Sequence, residues 1–285
     1  AFTLDMEAVS RRLSDLSPDL VFNIVESVNG RGSLIHLAPA LLESLGLRFT
    51  GAGSAAMFAT SNKIVAKSVL ASAGIPTPAW LTVSGFRAGD SAPRGRVIVK
   101  AVWEHASIGL SDKSILTVSG PGELGQEIAL RQREGGREMF AEEFVEGREF
   151  NLSVLSDGTG TRVLPCAEID FSAFPEGMPR IVDYAAKWEE GAFSYHNTPR
   201  SFSFRDSDAG LLQSLEVLAL RCFSLFGLSG YARVDFRVDR QGNPFVLEVN
   251  ANPCIAPDAG FPAAAAQAGL TMDGLVAAIA ADAHH

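Results

Sequence analysis

Apolar and polar residues along the chain follow two rhythms, a helical one and an alternation of period two. Residues 6–16 carry apolar side chains at helical spacing and are stopped by Ser17-Pro18. Residues 20–25 (LVFNIV) form a nearly continuous apolar run, suited to a strand buried on both faces. The polar loop 26–33 follows, at the strand end where α/β sheets gather ligands. A helix over 37–45 and a strand over 48–50 complete a parallel α/β unit, which reads as incomplete, lacking a first strand and its loop.

Farther on, 51–73 reads as one helical pattern closed by Gly74, with Lys63 and Lys67 one turn apart. Most lysines are solvated, and that is the ordinary reading of both. Residues 96–102 (RVIVKAV) form a strand that places Lys100 inside an apolar run, a costly position without an anionic partner. A helix within 120–136 precedes strands over 138–144 (EMFAEEF), 148–155 (REFNLSVL) and 162–169 (RVLPCAEI). The long irregular stretch 171–200 has the character of a substrate loop or lid. Ser207 and Asp208 can cap a helix with the core stripe Leu211, Leu215, Leu218, Cys222 and Phe226. The alanine-rich tail, 262–283, reads as a surface helix.

Between them lies the stretch on which function turns, 230–253 (GYARVDFRVDRQGNPFVLEVNANP), two alternating runs about a polar turn, hence a β-hairpin. Arg233 and Asp235 share one face of the first run, and Glu248 and Asn250 one face of the second. A four-residue loop, 239–242, would pair Val238 with Asn243 and set Arg233 opposite Glu248. A five-residue loop without a bulge would send the two polar sets to opposite faces. Convergence, by an even-length loop or a bulge, is expected, because Asp, Glu and Asn oxygens beside an arginine suit a Mg²⁺–phosphate site. The plainer alternative is the wet face of an ordinary hairpin.

Composition narrows the classes. At 285 residues and 47% hydrophobic, the chain can bury a large core and exceeds one typical domain. Its formal charge of −9 argues against a nucleic-acid partner met through a broad basic surface, though lysines and Mg²⁺ gathered locally still admit nucleotides. Three cysteines without metal-type spacing argue against a disulfide framework and fit a reducing cytoplasm. No apolar run reaches the roughly 20 residues that span a bilayer, so no membrane association is expected.

Lys63, Lys100, the small-residue loop 104–109, Glu142, Glu149, Lys187, Arg233, Asp235, Glu248 and Asn250 stand in one order along the chain. With the segments VFNIV, LLESLGLRFTGAGSAAMFATSNKIVAKSVLASAGIPTP, IVKAVWEHASIGL, AEEFVEGREFNLSVL, VDYAAKW, GYARVDFRV and FVLEVNANP, the chain resembles the D-alanine–D-alanine ligases of the ATP-grasp superfamily. The resemblance implies a mixed α/β (α+β) ATP-grasp fold: an incomplete N-terminal parallel α/β domain over 1–62, a central subdomain over 63–145, and a C-terminal subdomain with the metal site over 146–285. It implies that Lys63 and Lys100 hold ATP phosphates beneath the loop 104–109, which contains Ser107. Glu142 would face the adenine amino group, Phe144 and Val145 would offer backbone to the base edge, and Glu149 would take the ribose. Asp235, Glu248 and Asn250 would ligate Mg²⁺ or Mn²⁺. Arg233, Lys187 and, at the head of the first polar loop, Glu26 would serve the reacting groups.

The implied chemistry is ATP-dependent ligation of a small carboxylate to an amine through an acyl phosphate, in the cytoplasm, with a homodimer as the family's usual assembly. Departures from the family pattern concern substrate. Glu26-Ser27 stands for the usual His-Gly, Trp188 for a tyrosine, Ala106 for its serine partner, and Cys254-Ile255-Ala256 for a Gly-Met-Thr type of segment. Indole donates one hydrogen bond and accepts none, so the family's hydrogen-bonded triad cannot form in its usual way. Ala259 stands near a serine that meets the second substrate's carboxylate. Two alternatives follow: a ligase for another carboxylate–amine pair, or a nucleotide-binding module without ligase activity.

Overall fold

A computed structural model describes residues 2–85, 92–103, 107 and 109–283. Helices α1 (Met6–Leu16), α2 (Leu37–Ser44), α3 (Ser54–Ser61) and α4 (Lys63–Ser72) come first. Strands β1 (Trp80–Thr82), β2 (Gly95–Ala101) and β3 (Ile115–Val118), helix α5 (Pro121–Gly135) and strand β4 (Met139–Glu143) follow. Then come β5 (Gly147–Ser156), β6 (Thr161–Val163), β7 (Ala167–Ile169), α6 (Tyr184–Trp188), α7 (Phe193–His196), β8 (Arg200–Ser201) and α8 (Ala209–Leu225). The hairpin β9 (Tyr231–Asp239) and β10 (Pro244–Asn250) and helices α9 (Gly260–Gln267) and α10 (Met272–Ala281) close the chain.

Two antiparallel sheets organise these elements. The smaller has the order β1-β4-β2-β3, and α5 packs Leu124 and Ile128 against its Val97, Val99 and Ala141. The larger has the order β10-β9-β5-β7-β8, with β6 beside β5. Its main core joins Phe150, Leu152, Val234 and Phe236 to Leu215, Ala219 and Cys222 of α8, and to Ala56, Met57, Ala66 and Leu70 of α3 and α4. Gly147 opens β5 at φ +156°, and a side chain there would put its Cβ 1.9 Å from the Val238 carbonyl oxygen, so the strand can begin only with glycine.

Four sequence expectations need correction. The expected parallel pair 20–25 and 48–50 is reduced to one bridge, Val21 to Phe49, closed by Val21 N–H to Arg48 O (2.9 Å) and Thr50 N–H to Val21 O (3.1 Å). The single helix over 51–73 is two helices, because the Asn62 carboxamide caps α4 by accepting from the amides of Ile64 and Val65, 3.0 Å each. The strand over 162–169 is split where Pro165 cannot donate to a ladder. The tail is two helices bent by 101° at Gly269 (φ +80°), and its Phe261, Ala264, Leu275 and Ile279 are buried rather than superficial.

The hairpin brings the two polar sets together by the bulged route. Val238 pairs with Pro244, so the loop has five residues, yet the pairing slips between Val246 and Glu248. Leu247 is the extra residue of a β-bulge. Past it Asp235 lies opposite Glu248 and Arg233 opposite Asn250, instead of the expected Arg233–Glu248 pair. The bulge inverts the parity of β10: Val246 turns into the core while Glu248 and Asn250 join the face of Arg233 and Asp235.

Candidate functional site

On that shared face, Asp235 accepts from Arg233 twice, at Oδ1 from Nε (2.7 Å) and at Oδ2 from Nη2 (2.8 Å). Its Oδ1 also accepts from Asn151 Nδ2 at 2.9 Å, a residue of β5 directly opposite it. Asn250 Oδ1 accepts from the Asn252 amide (2.9 Å), and Lys63 Nζ lies 3.9 Å from Glu248 Oε1. Two carboxylates and one carboxamide thus lie on one face of the hairpin. Among the described residues no three His, Cys, Asp or Glu side chains form a metal cage. Magnesium suits such an open set, since it is bound by one or two carboxylates plus phosphate oxygens and water.

Lys187, in α6, reaches the same region. Burial and then Arg233 push its pKa down, against the pull of Glu248, Asp235 and Glu149. Arg233 answers this carboxylate field with a pKa held above its ordinary value, despite burial, by Asp235, Glu248 and Glu149. On the neighbouring turn of the ladder Glu149 pairs with Arg237 at 2.9 Å, and Arg237 is only 4% exposed. The Arg237 guanidinium also donates to the carbonyls of Gly147 and Arg180 and lies against the rings of Phe144 and Phe171. The Phe144 amide donates to the Arg96 carbonyl (3.0 Å), and Val145 is buried.

The lysines divide. Lys100 Nζ meets Glu142 Oε1 at 2.5 Å, and Lys67 Nζ meets Glu142 Oε2 at 2.6 Å. Lys67 also donates to Thr77 Oγ1 (2.7 Å) and the Pro78 carbonyl (3.3 Å). Both Lys67 and Glu142 are 1% exposed, so the surface reading of Lys67 is wrong. Burial pushes the Glu142 carboxyl up, but Lys100 and Lys67 outweigh it and hold it below its ordinary value. Burial holds the Lys67 ammonium below its own. The carboxylate expected to face an adenine amino group stands between these two lysines.

On the substrate side, Ser107 Oγ donates to the Val182 carbonyl (2.7 Å), and the Tyr184 amide donates to the Leu110 carbonyl (3.1 Å). These bonds join the loop at 107–110 to the segment carrying Lys187. The remaining loop residues Glu104, His105, Ala106 and Ile108 lie outside the described residues. Glu26 is exposed beside Val25, whose carbonyl accepts from Asn252 Nδ2 at 2.9 Å, and Asn252 Oδ1 accepts from the Tyr231 hydroxyl at 2.8 Å. Burial, then the neighbouring Cys254 and Glu26, raise the Tyr231 pKa. The structure therefore gathers Lys63, Lys187, Arg233, Asp235, Glu248, Asn250 and Glu149 around one face, and keeps Lys100 and Glu142 together on the other sheet.

Sequence reasoning missed Lys67, Asn151 and Arg237. Asn151 had a signal, two residues after Glu149 on the same strand face. Lys67 had one too, since the spacing of Ala66, Lys67 and Leu70 sets it on the buried stripe of α4.

The model of the D-ala D-ala ligase C-terminus family matches residues 69–281. A D-alanine–D-alanine ligase of Synechococcus sp. (strain JA-3-3Ab) is 33% identical over 262 residues, covering 90% of this chain and 75% of the relative. An uncharacterized protein, y4sG, of Sinorhizobium fredii is 28% identical over 265 residues, 93% of this chain and 74% of the relative. A crystal structure of D-alanine–D-alanine ligase from Bacillus anthracis complexed with ATP matches with a TM-score of 0.68 at 22% identity, covering 97% of this chain and 82% of that one.

Proposed function

The chain belongs to the D-alanine–D-alanine ligase family of ATP-grasp enzymes, and from that premise we propose that it uses ATP and Mg²⁺ to join an amino-acid-like carboxylate to the amine of a second small substrate. The observation that carries the reading is the bulged hairpin, which brings Arg233, Asp235, Glu248 and Asn250 to one face with Lys63 and Lys187 beside it. In this reading residues 63–145 and 146–285 form the two lobes of the ATP-grasp unit behind residues 1–62. Lys63 and Lys100 hold phosphates, Glu149 the ribose, and Asp235, Glu248 and Asn250 the metal. Glu142 anchors Lys100 and Lys67 beneath the nucleotide, and Phe144 and Val145 line the base. A cytoplasmic setting fits the free cysteines.

The first substrate's carboxylate oxygen attacks the γ-phosphorus, the bond to the ADP oxygen breaks, and an acyl phosphate forms. The amine nitrogen then attacks the acyl carbon, phosphate leaves with the bonding pair, and the nitrogen loses a proton. Both steps move negative charge among oxygens, so positioning and neutralisation matter more than a protein nucleophile. Arg233 and Lys187 serve the acyl oxygen and the transferred phosphoryl group. Magnesium, when bound, supplies further neutralisation of that phosphoryl group.

The test is phosphate release with a panel of amino acids for the wild type and Glu248→Gln. About a hundredfold lower turnover in the variant is expected, the scale on which one electrostatic contact to developing charge is felt. Unchanged turnover overturns the metal assignment. Trp188, 59% exposed on α6 where relatives of this pattern carry a tyrosine, favours a second reading, ligation of a different carboxylate–amine pair. Product masses from mixed substrate pairs decide it, and D-alanyl-D-alanine as sole product excludes it.

A further inference from the structure

Phe150 and Leu152 of β5 lie in the main core, so Asn151 between them turns to the opposite face, that of the hairpin's polar residues. The ladder sets Asn151 directly opposite Asp235, which on its other side faces Glu248. Two residues away on either side, Glu149 and Ser153 stand opposite Arg237 and Arg233. A neutral carboxamide is thus placed in the row that carries the acids of the metal side.

The Asn151 carboxamide donates from Nδ2 to Asp235 Oδ1 at 2.9 Å. An ionised carboxylate only accepts, so an asparagine beside it presents its NH₂ group rather than its oxygen. Oδ1 also accepts from Arg233 Nε at 2.7 Å, and two N–H groups engage both in-plane lone pairs of a carboxylate oxygen. Oδ2 accepts once among the described residues, from Arg233 Nη2 at 2.8 Å. The carboxylate is therefore held at three points, and its oxygens are no longer equivalent. By this count Oδ2 is the oxygen with an electron pair to give a cation. The charge of the holder matters too. A lysine at 151 would set a positive charge against the metal, and an acid would repel Asp235. A neutral donor fixes the carboxylate and leaves its charge in place.

We propose that Asn151 is a positioning residue that, through Asp235, sets both the oxygen offered to the metal and the orientation of the Arg233 guanidinium. The inference rests on the ligase reading, which gives the metal to Asp235 and the acyl oxygen to Arg233. A guanidinium carries five N–H donors in a rigid fork, and the pair of bonds to Asp235 uses two of them along one edge. Fixing Asp235 therefore fixes where the rest of the fork points. Without Asn151 the carboxylate and the arginine would turn as one unit, and Oδ1 would compete with Oδ2 for the cation. Outer hydrogen bonds of this kind are worth about ten- to hundredfold in metal affinity or activity.

Calorimetry of a non-hydrolysable ATP analogue, once with Mn²⁺ and once with EDTA, tests this in the wild type, Asn151→Leu and Asn151→Thr. The ratio of the two Kd values reads the metal contact separately from the nucleotide contact. Asn151→Leu should shrink that ratio about ten- to hundredfold and leave the Kd in EDTA unchanged. Asn151→Thr keeps a hydroxyl donor and should recover part of the loss. At saturating Mn²⁺ and ATP, turnover of Asn151→Leu should stay about tenfold below wild type, because Arg233 is displaced as well; full recovery overturns the part of the inference that concerns Arg233. An unchanged ratio in Asn151→Leu overturns the inference and leaves the ligase reading standing. Equal weakening in Mn²⁺ and in EDTA also overturns it, since Asn151 would then serve the architecture at large. If the wild type itself binds the analogue equally in Mn²⁺ and EDTA, the metal assignment of the ligase reading fails and the inference falls with it. Matching thermal midpoints show that folding is intact, and Asn151→Ala makes the same comparison if Asn151→Leu does not fold.

Discussion

Glu142 is held at the centre of a charge triad whose energetics are not symmetrical. With Lys67 and Lys100 protonated, the buried group carries one excess positive charge. Lys67→Met leaves a balanced Glu142–Lys100 pair and forfeits hydrogen bonds, a loss of about 1–3 kcal/mol. Glu142→Leu leaves two lysines facing each other without a counterion, and removing the partner of a buried charge costs about 3–5 kcal/mol. Urea unfolding should rank the variants in that order; the reverse ranking would show that the carboxylate, not the lysine pair, bears the greater strain. The same geometry predicts an acid limit. The folded Glu142 pKa lies below its ordinary 4.5, so the triad's contribution is fully present above that pH and fades as pH falls through the folded value. Stability measured between pH 6 and 3 should decline less steeply below pH 4.5 in Glu142→Gln than in the wild type.

At the scale of elements, the bulge at Leu247 is what makes a site out of the hairpin. The alternation of β9 and the acidic and amide residues of β10 were legible in the sequence. Their convergence was expected too, but the place of the bulge that achieves it was not, because that irregularity is fixed by another part of the chain. That part is the 76–77 segment: the Val246 amide donates to the Pro76 carbonyl (2.8 Å), and Thr77 Oγ1 donates to the Val246 carbonyl (2.8 Å). Since Lys67 donates to the same Thr77 oxygen, one hydroxyl links the charge triad to the bulge. Thr77→Val removes both bonds at nearly constant volume and should destabilise the protein by about 1–3 kcal/mol. It should also raise KM for Mg²⁺–ATP, since Glu248 follows the bulge by one residue. A variant equally unstable but with unaltered KM would mean that the bulge keeps its form without Thr77.

Across the whole molecule, the two sheets and the helices between them were foreseeable as elements, but their allegiances were not. Helix α4 precedes the small sheet in the chain, yet Ala66 and Leu70 pack in the core of the large one, a choice made by long-range burial that local periodicity does not encode. The consequence is that Lys63 belongs with the hairpin while Lys100 and Glu142 belong with β2 and β4. The Lys67–Glu142 ion pair is then a connection between the two bodies, and a nucleotide held by Lys63 and Lys100 would be another. Ligand that bridges both and binds only the folded state adds about 2.7 kcal/mol at a hundred times its Kd. At about 2–4 °C per kcal/mol for chains of 150–250 residues, Mg²⁺–ATP at that excess should raise the thermal midpoint by roughly 5–10 °C. EDTA, or Asp235→Asn with Glu248→Gln, should remove the metal-dependent part of the shift while ATP alone retains the rest through the lysines. A shift indifferent to both treatments would place the nucleotide away from the hairpin and separate the lysines' task from the acids'.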